Sequence, residues 1–365
     1  MLNFAPTEEQ EEVRRLAHSL ATAELRLQGR AAEKAGNISP ELLQTLAQTG
    51  LTTPFAESYG GSGLIEAVTY TLIAEELGYG DGGLAMNIIG SMMGPLAVSL
   101  AGNERQQEQY ITPFCDEREG YRQRGSLAYA ERIGGYSLPD ISSTVRPEGG
   151  NYILNGIKRD VPNGGDASLR VVLAHLEGLT GSAGLCALVV PPEATGLRIS
   201  NDTQKLGLIA APSAAYIFEN VAVPASCMLG EAGNDGVMRA ATLYNILRAG
   251  VACGMARAAF EYARDYAQDR IAFGRPIASY QGIAFMIAEM AMKLDAARLL
   301  LWRAAASWDR AIDCAALVQE AEAAQSQAVK IAKANTIDAV QVMGGAGFMQ
   351  DHPAEMWMRN AAAME

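Results

Sequence analysis

The 365-residue chain predicts a mainly helical α+β fold in three parts: an N-terminal helical domain over 1–122, a small antiparallel β-barrel over 123–233 and a C-terminal helical bundle over 234–365. Three observations carry this. Apolar residues recur every three or four positions up to about residue 122. The texture then turns to short β-branched runs bounded by Gly and Pro, and from about 235 the helical period returns. A chain this long also exceeds what one ordinary core serves.

Taken in order, "PTEEQEEVRRLAHSLATAEL" opens with Pro6-Thr7, carries acids in its first turn and sets Val13, Leu16 and Leu20 on one face, the pattern of a helix start. "SPELLQTLAQTG" is a complete short helix, with Ser39 as cap, Pro40 in the first turn and Gly50 as stop. "ESYGGSG" (57–63) reads as a turn. "LAMNIIGSMMGPLAVSLAG" (84–102) is long and uncharged, but Asn87, Ser91, Pro95, Ser99 and its glycines point to a helix buried in a bundle rather than a membrane span. "NYILNGIK" (151–158) reads as two strand halves about an Asn155-Gly156 hairpin turn, followed by strands in "LRVVLAHL", "LCALVVPP" and "AAYIFENVAVP". Further on, Ile287, Met290, Leu294, Ala297, Leu301, Ala304 and Trp308 form one helical stripe, more in keeping with a core than with a cofactor box. A second helix spans roughly 316–343, and the terminal "MRNAAAME" reads as helix to its last residue.

The totals narrow the partners. A formal charge of −12 argues against nucleic acid or an anionic membrane as the main partner. Five scattered cysteines without a CxxC fit buried small hydrophobes in a reducing cytoplasm, and three histidines make a His-based metal site a poor expectation. The first twenty residues are charged at once, unlike a signal peptide.

Two segments carry candidate chemistry. In "RIAFGRPIASYQ" (270–281), the planar fork of Arg270 suits a pyrophosphate, Phe273 an adenine or ribose face, and Gln281 a polar edge near a helix start. Alone, the segment is equally a basic loop before a helix. In "QVMGGAGF" (341–348), Gln341 ends a helix and the glycines permit close approach of backbone N–H groups to a phosphate, although plain helix capping explains them as well. No strand precedes these glycines, so they are not a Rossmann fingerprint.

Together, and after an α–β–α chain, the two segments resemble the acyl-CoA dehydrogenase family over nearly the whole length. "ELLQTLAQTGL", "ESYGGSG" and "AEELGYGDGG" look like its N-terminal domain, "NYILNGIKRDVPNGGDA" like its barrel, and "RIAFGRPIASYQ" with "KIAKANTIDAVQVMGGAGF" like its C-terminal bundle. The resemblance implies FAD between barrel and bundle, an acyl-CoA substrate and a tetramer whose neighbouring subunit completes each site. Arg270, Phe273 and Gln281 would then touch the adenosine diphosphate half of a neighbouring subunit's FAD, and Gln341 and Gly345 would support the same half. The implied reaction is α,β-dehydrogenation: a Glu carboxylate takes the α proton, the β hydride goes to the flavin, and hydrogen bonds hold the thioester oxygen.

Ring-side residues depart from the family pattern. "AYAERIGGYS" (128–137) has Ala130 for a threonine and Arg132 for a proline of a Thr-Glu-Pro segment, while Glu131 and the glycines persist. In "KRDVPNGG" (158–165), Lys158, Asn163 and Gly164 match, but Asp160 replaces an aromatic residue and Pro162 a threonine. Two flavin-facing hydroxyls are thereby lost, about 0.5–1.5 kcal/mol each. The expected base position falls beyond Glu365, where the family runs about one more helix; Glu365 itself stands early in the alignment and is the candidate within the chain. A minority of members place the base where Leu247 stands here, beside Arg248. Three readings follow: an FAD-dependent acyl-CoA dehydrogenase handing electrons to an electron-transfer flavoprotein, a non-catalytic subunit completing a related partner's FAD site in a heterotetramer, or other flavin chemistry on this fold.

Overall fold

The first helices form where the caps predict them. In the computed structural model, which describes residues 5–63, 66–132, 135, 137–138, 141–201 and 204–365, helix α1 spans Glu8–Leu20. The Thr7 hydroxyl accepts from the Gln10 N–H, and the Gln10 side chain accepts from the Thr7 N–H, a reciprocal cap. The chain continues through a π-helical turn into α2 (Arg26–Ala35), which Gly36 ends at φ 73°. Ser39 caps α3 (Pro40–Ala47), and α4 (Ala67–Gly80), α5 (Gly82–Ala101) and α6 (Glu104–Ile111) complete the N-terminal part.

Helix α5 is long and apolar enough to cross a membrane, yet it is buried inside the protein almost throughout. Its glycines explain how it sits so deep. A Cβ on Gly90 would lie 2.5 Å from the Pro162 Cβ, and one on Gly94 would lie 2.9 Å from the backbone of Ser126. The barrel therefore rests directly on the α5 backbone.

The middle part is a curled seven-stranded sheet: β1 (Gly125–Ala128), β2 (Thr144–Glu148), β3 (Asn151–Pro162), β4 (Leu169–Leu176), β5 (Leu185–Val189), β6 (Leu197–Ser200) and β7 (Ser213–Pro224), with neighbours in the order β1-β4-β2-β3-β7-β6 and β5 on β4. Two features differ from the expectation. The sheet is mixed, since β4 runs parallel to both β1 and β2. Asn155-Gly156 is no hairpin turn but a bulge inside the continuous β3, and the β2–β3 turn falls at Gly149-Gly150. Gly156, at φ 144°, is needed for a close approach: a Cβ there would lie 2.2 Å from the Ser143 hydroxyl.

The C-terminal part holds α7 (Asp235–Asp269), a two-residue ribbon β8–β9 (Ile271–Ala272 and Arg275–Pro276), α8 (Gln281–Asp309), α9 (Cys314–Met343) and α10 (Ala354–Ala362). Contrary to the sequence pattern, α10 closes at Ala362, and a turn carries the chain to Glu365. The central α7 crosses α4 on small residues, Gly78 against the Val251 backbone and Gly254 against the Glu75 backbone. Glu75 and Glu76 of α4 are buried beside this crossing and paired with Arg257 of α7 and Arg298 of α8. The last residue of α8, Asp309, caps α4 by accepting from the Ala67 and Val68 N–H groups at 2.6 and 3.0 Å. The predicted α8 stripe is buried from Met290 to Trp308, while Ile287 is half-buried.

Candidate functional site between barrel and bundle

The adenosine-side candidates stand at one end of the bundle. Arg270 ends α7, with its N–H on the Tyr266 carbonyl, and Phe273-Gly274 form the tip of the β8–β9 ribbon. Both tip residues have positive φ, 51° and 81°, which a two-residue ribbon turn of this hand requires. For a bulky residue this is strained, and Phe273 is also 98% exposed. Tyr280 supports the ribbon by donating to the Ala272 carbonyl at 2.9 Å. Gln281 is the first residue of α8. Ala339 and Val342, near the end of α9, share a core cluster with Ile277, Ile283 and Met286, so the Gln341 turn lies at the same end of the bundle. Gly344, at φ 58°, and Gly345 have no atom within 4 Å of where a Cβ would stand. Arg270, Phe273, Gln281, Gln341 and Gly345 are all exposed on this chain. An exposed cation, an outward aromatic ring and an open glycine backbone fit the diphosphate and adenosine of a dinucleotide.

On the barrel side, the wall is tightly braced. Lys158 is fully buried, 2.8 Å from Glu131, and donates to the Tyr129 carbonyl at 3.3 Å. Glu131 also accepts from the backbone and hydroxyl groups of Ser142 and Ser143, which ties these two serines, through Glu131 and Lys158, to β3. Burial pushes the Lys158 ammonium down to about 8 despite the carboxylate beside it. Burial would raise the Glu131 carboxyl, but the Lys158 charge and the donated hydrogen bonds overcome it and hold the group at about 2. Gly134 of this segment lies outside the described residues.

Asn163 and Gly164 form the turn that presents Pro162. The Asn163 N–H donates to the Pro212 carbonyl and its Nδ2 to the Asn87 carbonyl, at 2.8 and 2.9 Å, and the Gly164 carbonyl accepts from Tyr216 at 2.8 Å. Both residues thus scaffold the wall. Asp160, at φ 49° and half-buried, lies in the electrostatic reach of Lys205 and of Tyr244 on α7.

Facing this wall, α7 carries residues that the sequence did not single out. Arg248 is buried and donates to the Met364 carbonyl at 2.9 Å, fixing the turn after α10 against α7. Asn245 accepts from the Tyr129 hydroxyl at 2.8 Å. The Ser137 hydroxyl donates to Glu322 of α9 at 3.0 Å. Below, Asn360 of α10 accepts from the Leu208 N–H at 2.7 Å. The only signal for Arg248 was its position beside Leu247. Glu365 is placed at the surface, its side chain 60% exposed and paired with Lys333.

The chain runs helical, β, helical, with the sheet packed directly on α7 of the bundle, and an exposed arginine, an outward aromatic ring and open glycine backbone stand together at the bundle's end, an arrangement suited to a dinucleotide-binding enzyme. Family models agree over almost the whole chain: the acyl-CoA dehydrogenase N-terminal domain over 7–118, middle domain over 126–221 and C-terminal domain over 233–365. The chain is 32% identical over 360 residues to an acyl-CoA dehydrogenase of Bacillus subtilis, covering 97% of this chain and 93% of that protein. It is 34% identical over 315 residues to the mitochondrial short-chain specific acyl-CoA dehydrogenase of Rattus norvegicus, covering 85% and 74%. Among solved structures, butyryl-CoA dehydrogenase from Megasphaera elsdenii matches with a TM-score of 0.86 and 28% identity, over 100% of this chain and 95% of that one. A chain solved in work on the electron transferring flavoprotein of Acidaminococcus fermentans matches with a TM-score of 0.87 and 30% identity, over 100% and 94%. The protein belongs to the acyl-CoA dehydrogenase family.

Proposed function

We propose that the protein catalyses FAD-dependent α,β-dehydrogenation of an acyl-CoA thioester, with electrons passing on to an electron-transfer flavoprotein. The observation that carries this reading is the end of the bundle, where Arg270, Phe273, Gln281, Gln341 and the open Gly345 backbone stand exposed on family positions. These residues would hold the adenosine diphosphate half of FAD, while Lys158, Asn163 and Gly164 brace the wall beside the ring. When bound, the flavin supplies the acceptor for the β hydride. The chain's own work is to exclude water with the buried Tyr129, Tyr244 and Leu247, and to fix the turn after α10 through Arg248. For Glu365 to act as base, its pair with Lys333 must break, so its position favours a surface role.

Assembly belongs to the same reading. Phe285, Met292 and Leu299 leave large apolar surfaces exposed along α8, and Ile337, Phe348 and Met349 do so on and after α9. We assign this face to contacts in a homotetramer or a heterotetramer, through which the exposed adenosine-side residues reach a neighbour's FAD. All five cysteines are free thiols, as a cytoplasmic location would have it.

The loss of ring-side hydroxyls at Ala130 and Pro162 favours a second reading, a non-catalytic subunit that completes a partner's FAD site. The test is an absorbance spectrum of purified protein with the flavin-to-chain ratio after acid release. A ratio near one, with anaerobic bleaching on adding acyl-CoA, is expected. Failure to take up flavin from excess FAD would overturn the first reading in favour of the second.

A further inference from the structure

The glycine turn after α9 is anchored at its far end. Gly344, Gly345 and residues 348–351 are exposed, whereas Gly347 is packed closely: a Cβ there would stand 2.5 Å from the Val340 carbonyl oxygen. Successive backbone hydrogen bonds carry the turn onward, from the Gly347 N–H to the Gly344 carbonyl, from Met349 to Ala346 and from His352 to Met349, at 2.9, 3.2 and 3.1 Å. His352 is held from two sides. Its Nδ1 is hydrogen-bonded to the Tyr262 hydroxyl of α7 at 2.8 Å, and Arg30 of α2 donates to its carbonyl at 3.3 Å. The imidazole also stands edge-on to Tyr262 and Tyr266, with centroids 6.0 Å away in each case. Tyr262 is braced in turn by the buried Trp357 of α10, edge-on at 5.6 Å and 88°. Tyr266 lies one turn further along α7, and its carbonyl accepts from the Arg270 N–H at 2.9 Å. One knot of side chains thus joins the glycine turn to the segment of α7 that ends at Arg270.

We propose that His352 is a positioning residue for the cofactor: its bond to Tyr262 sets the Gly344-Gly345 turn in register with Arg270, so that both present themselves to one dinucleotide. This rests on the acyl-CoA dehydrogenase reading above, in which these groups hold the adenosine diphosphate half of FAD. Exposed glycines have the widest backbone freedom and no packing of their own to fix their place. A turn tethered in advance spares the bound state that ordering cost, which appears as affinity.

The test measures FAD affinity by flavin fluorescence on full-length protein freed of flavin, for wild type, H352A, H352N, Y262F and H352A/Y262F. Amide hydrogen exchange and particle mass by light scattering are read alongside, since Phe348 and Met349 belong to the face assigned to assembly. H352A and Y262F should each weaken FAD binding by about tenfold. The double variant should bind no worse than H352A, because the two side chains make one bond. H352N, whose amide can replace Nδ1, should recover most of the affinity. Exchange should quicken at 344–349 in H352A and Y262F, with α7, α10 and the particle mass as in wild type. Should H352A fail to fold, Y262F with H352N carries the comparison. Affinities within twofold of wild type, losses that multiply in the double variant, faster exchange throughout α7 and α10, or a smaller particle would each overturn the positioning role alone. A wild type that takes up no FAD overturns the dehydrogenase reading and this role with it.

Discussion

At the scale of single residues, the Lys158–Glu131 pair shows how a buried charge is made tolerable. Lys158 is fully enclosed and has one carboxylate near it; Glu131 satisfies its remaining lone pairs with four donors from Ser142 and Ser143. Removing the carboxylate leaves a buried cation without a counter-charge, so E131Q should lower unfolding free energy by about 3–5 kcal/mol, checked by urea denaturation at neutral pH. The pH dependence has a definite sign. Glu131 sits at about 2 in the folded protein against its ordinary 4.5, so its contribution is complete above about 4.5 and is lost as the pH falls towards 2. Wild type should therefore weaken across that acid window, and E131Q should lack this component. Both residues were visible in the sequence as matches to a family pattern. Their mutual contact was not, because they are 27 positions apart and no local period links them. The same holds for Tyr129 and Asn245, 116 positions apart.

At the scale of elements, legibility followed the local signal. Helices with caps and stripes, such as α3 with Ser39 and α8 with its Met290–Trp308 stripe, were readable because the cues lie within a few residues of what they specify. Asn155-Gly156 misled for a physical reason. The dipeptide that favours a tight turn also suits a bulge, and here Gly156 is required by Ser143 on the neighbouring chain segment rather than by chain reversal. The glycines of α4, α5 and α7 were likewise ambiguous, since glycine within a helical pattern acquires its meaning only from the backbone it meets. At Gly254 that meaning is severe: an added Cβ would stand 2.1 Å from the Glu75 carbonyl oxygen and 2.6 Å from the Tyr79 nitrogen. G254A should therefore force α4 and α7 apart and destabilise the protein by about 1–3 kcal/mol or more, seen as a lowered Tm with the helical circular dichroism largely retained.

At the scale of the whole molecule, the order α–β–α was legible, whereas the contacts between sheet and bundle were not, since they exist only where distant parts of the chain converge. The exposed apolar face of α8 gives the assembly prediction. On the proposed assembly, a double variant F285D/M292D should shift the particle mass measured by light scattering to a smaller species, and bound flavin should fall with it, because the proposed adenosine-side residues would no longer face a neighbour. A monodisperse tetramer with full flavin would place the assembly surface elsewhere. The ribbon tip carries a consequence of another kind. Phe273 holds a left-handed backbone that disfavours any side chain by roughly 1–2 kcal/mol, and its ring is almost wholly exposed to solvent. F273G should consequently make the isolated chain harder to unfold while making it a poorer flavoprotein. Selection for thermal robustness alone would erase this phenylalanine, and its persistence would then be the mark of a trade between durability and cofactor retention.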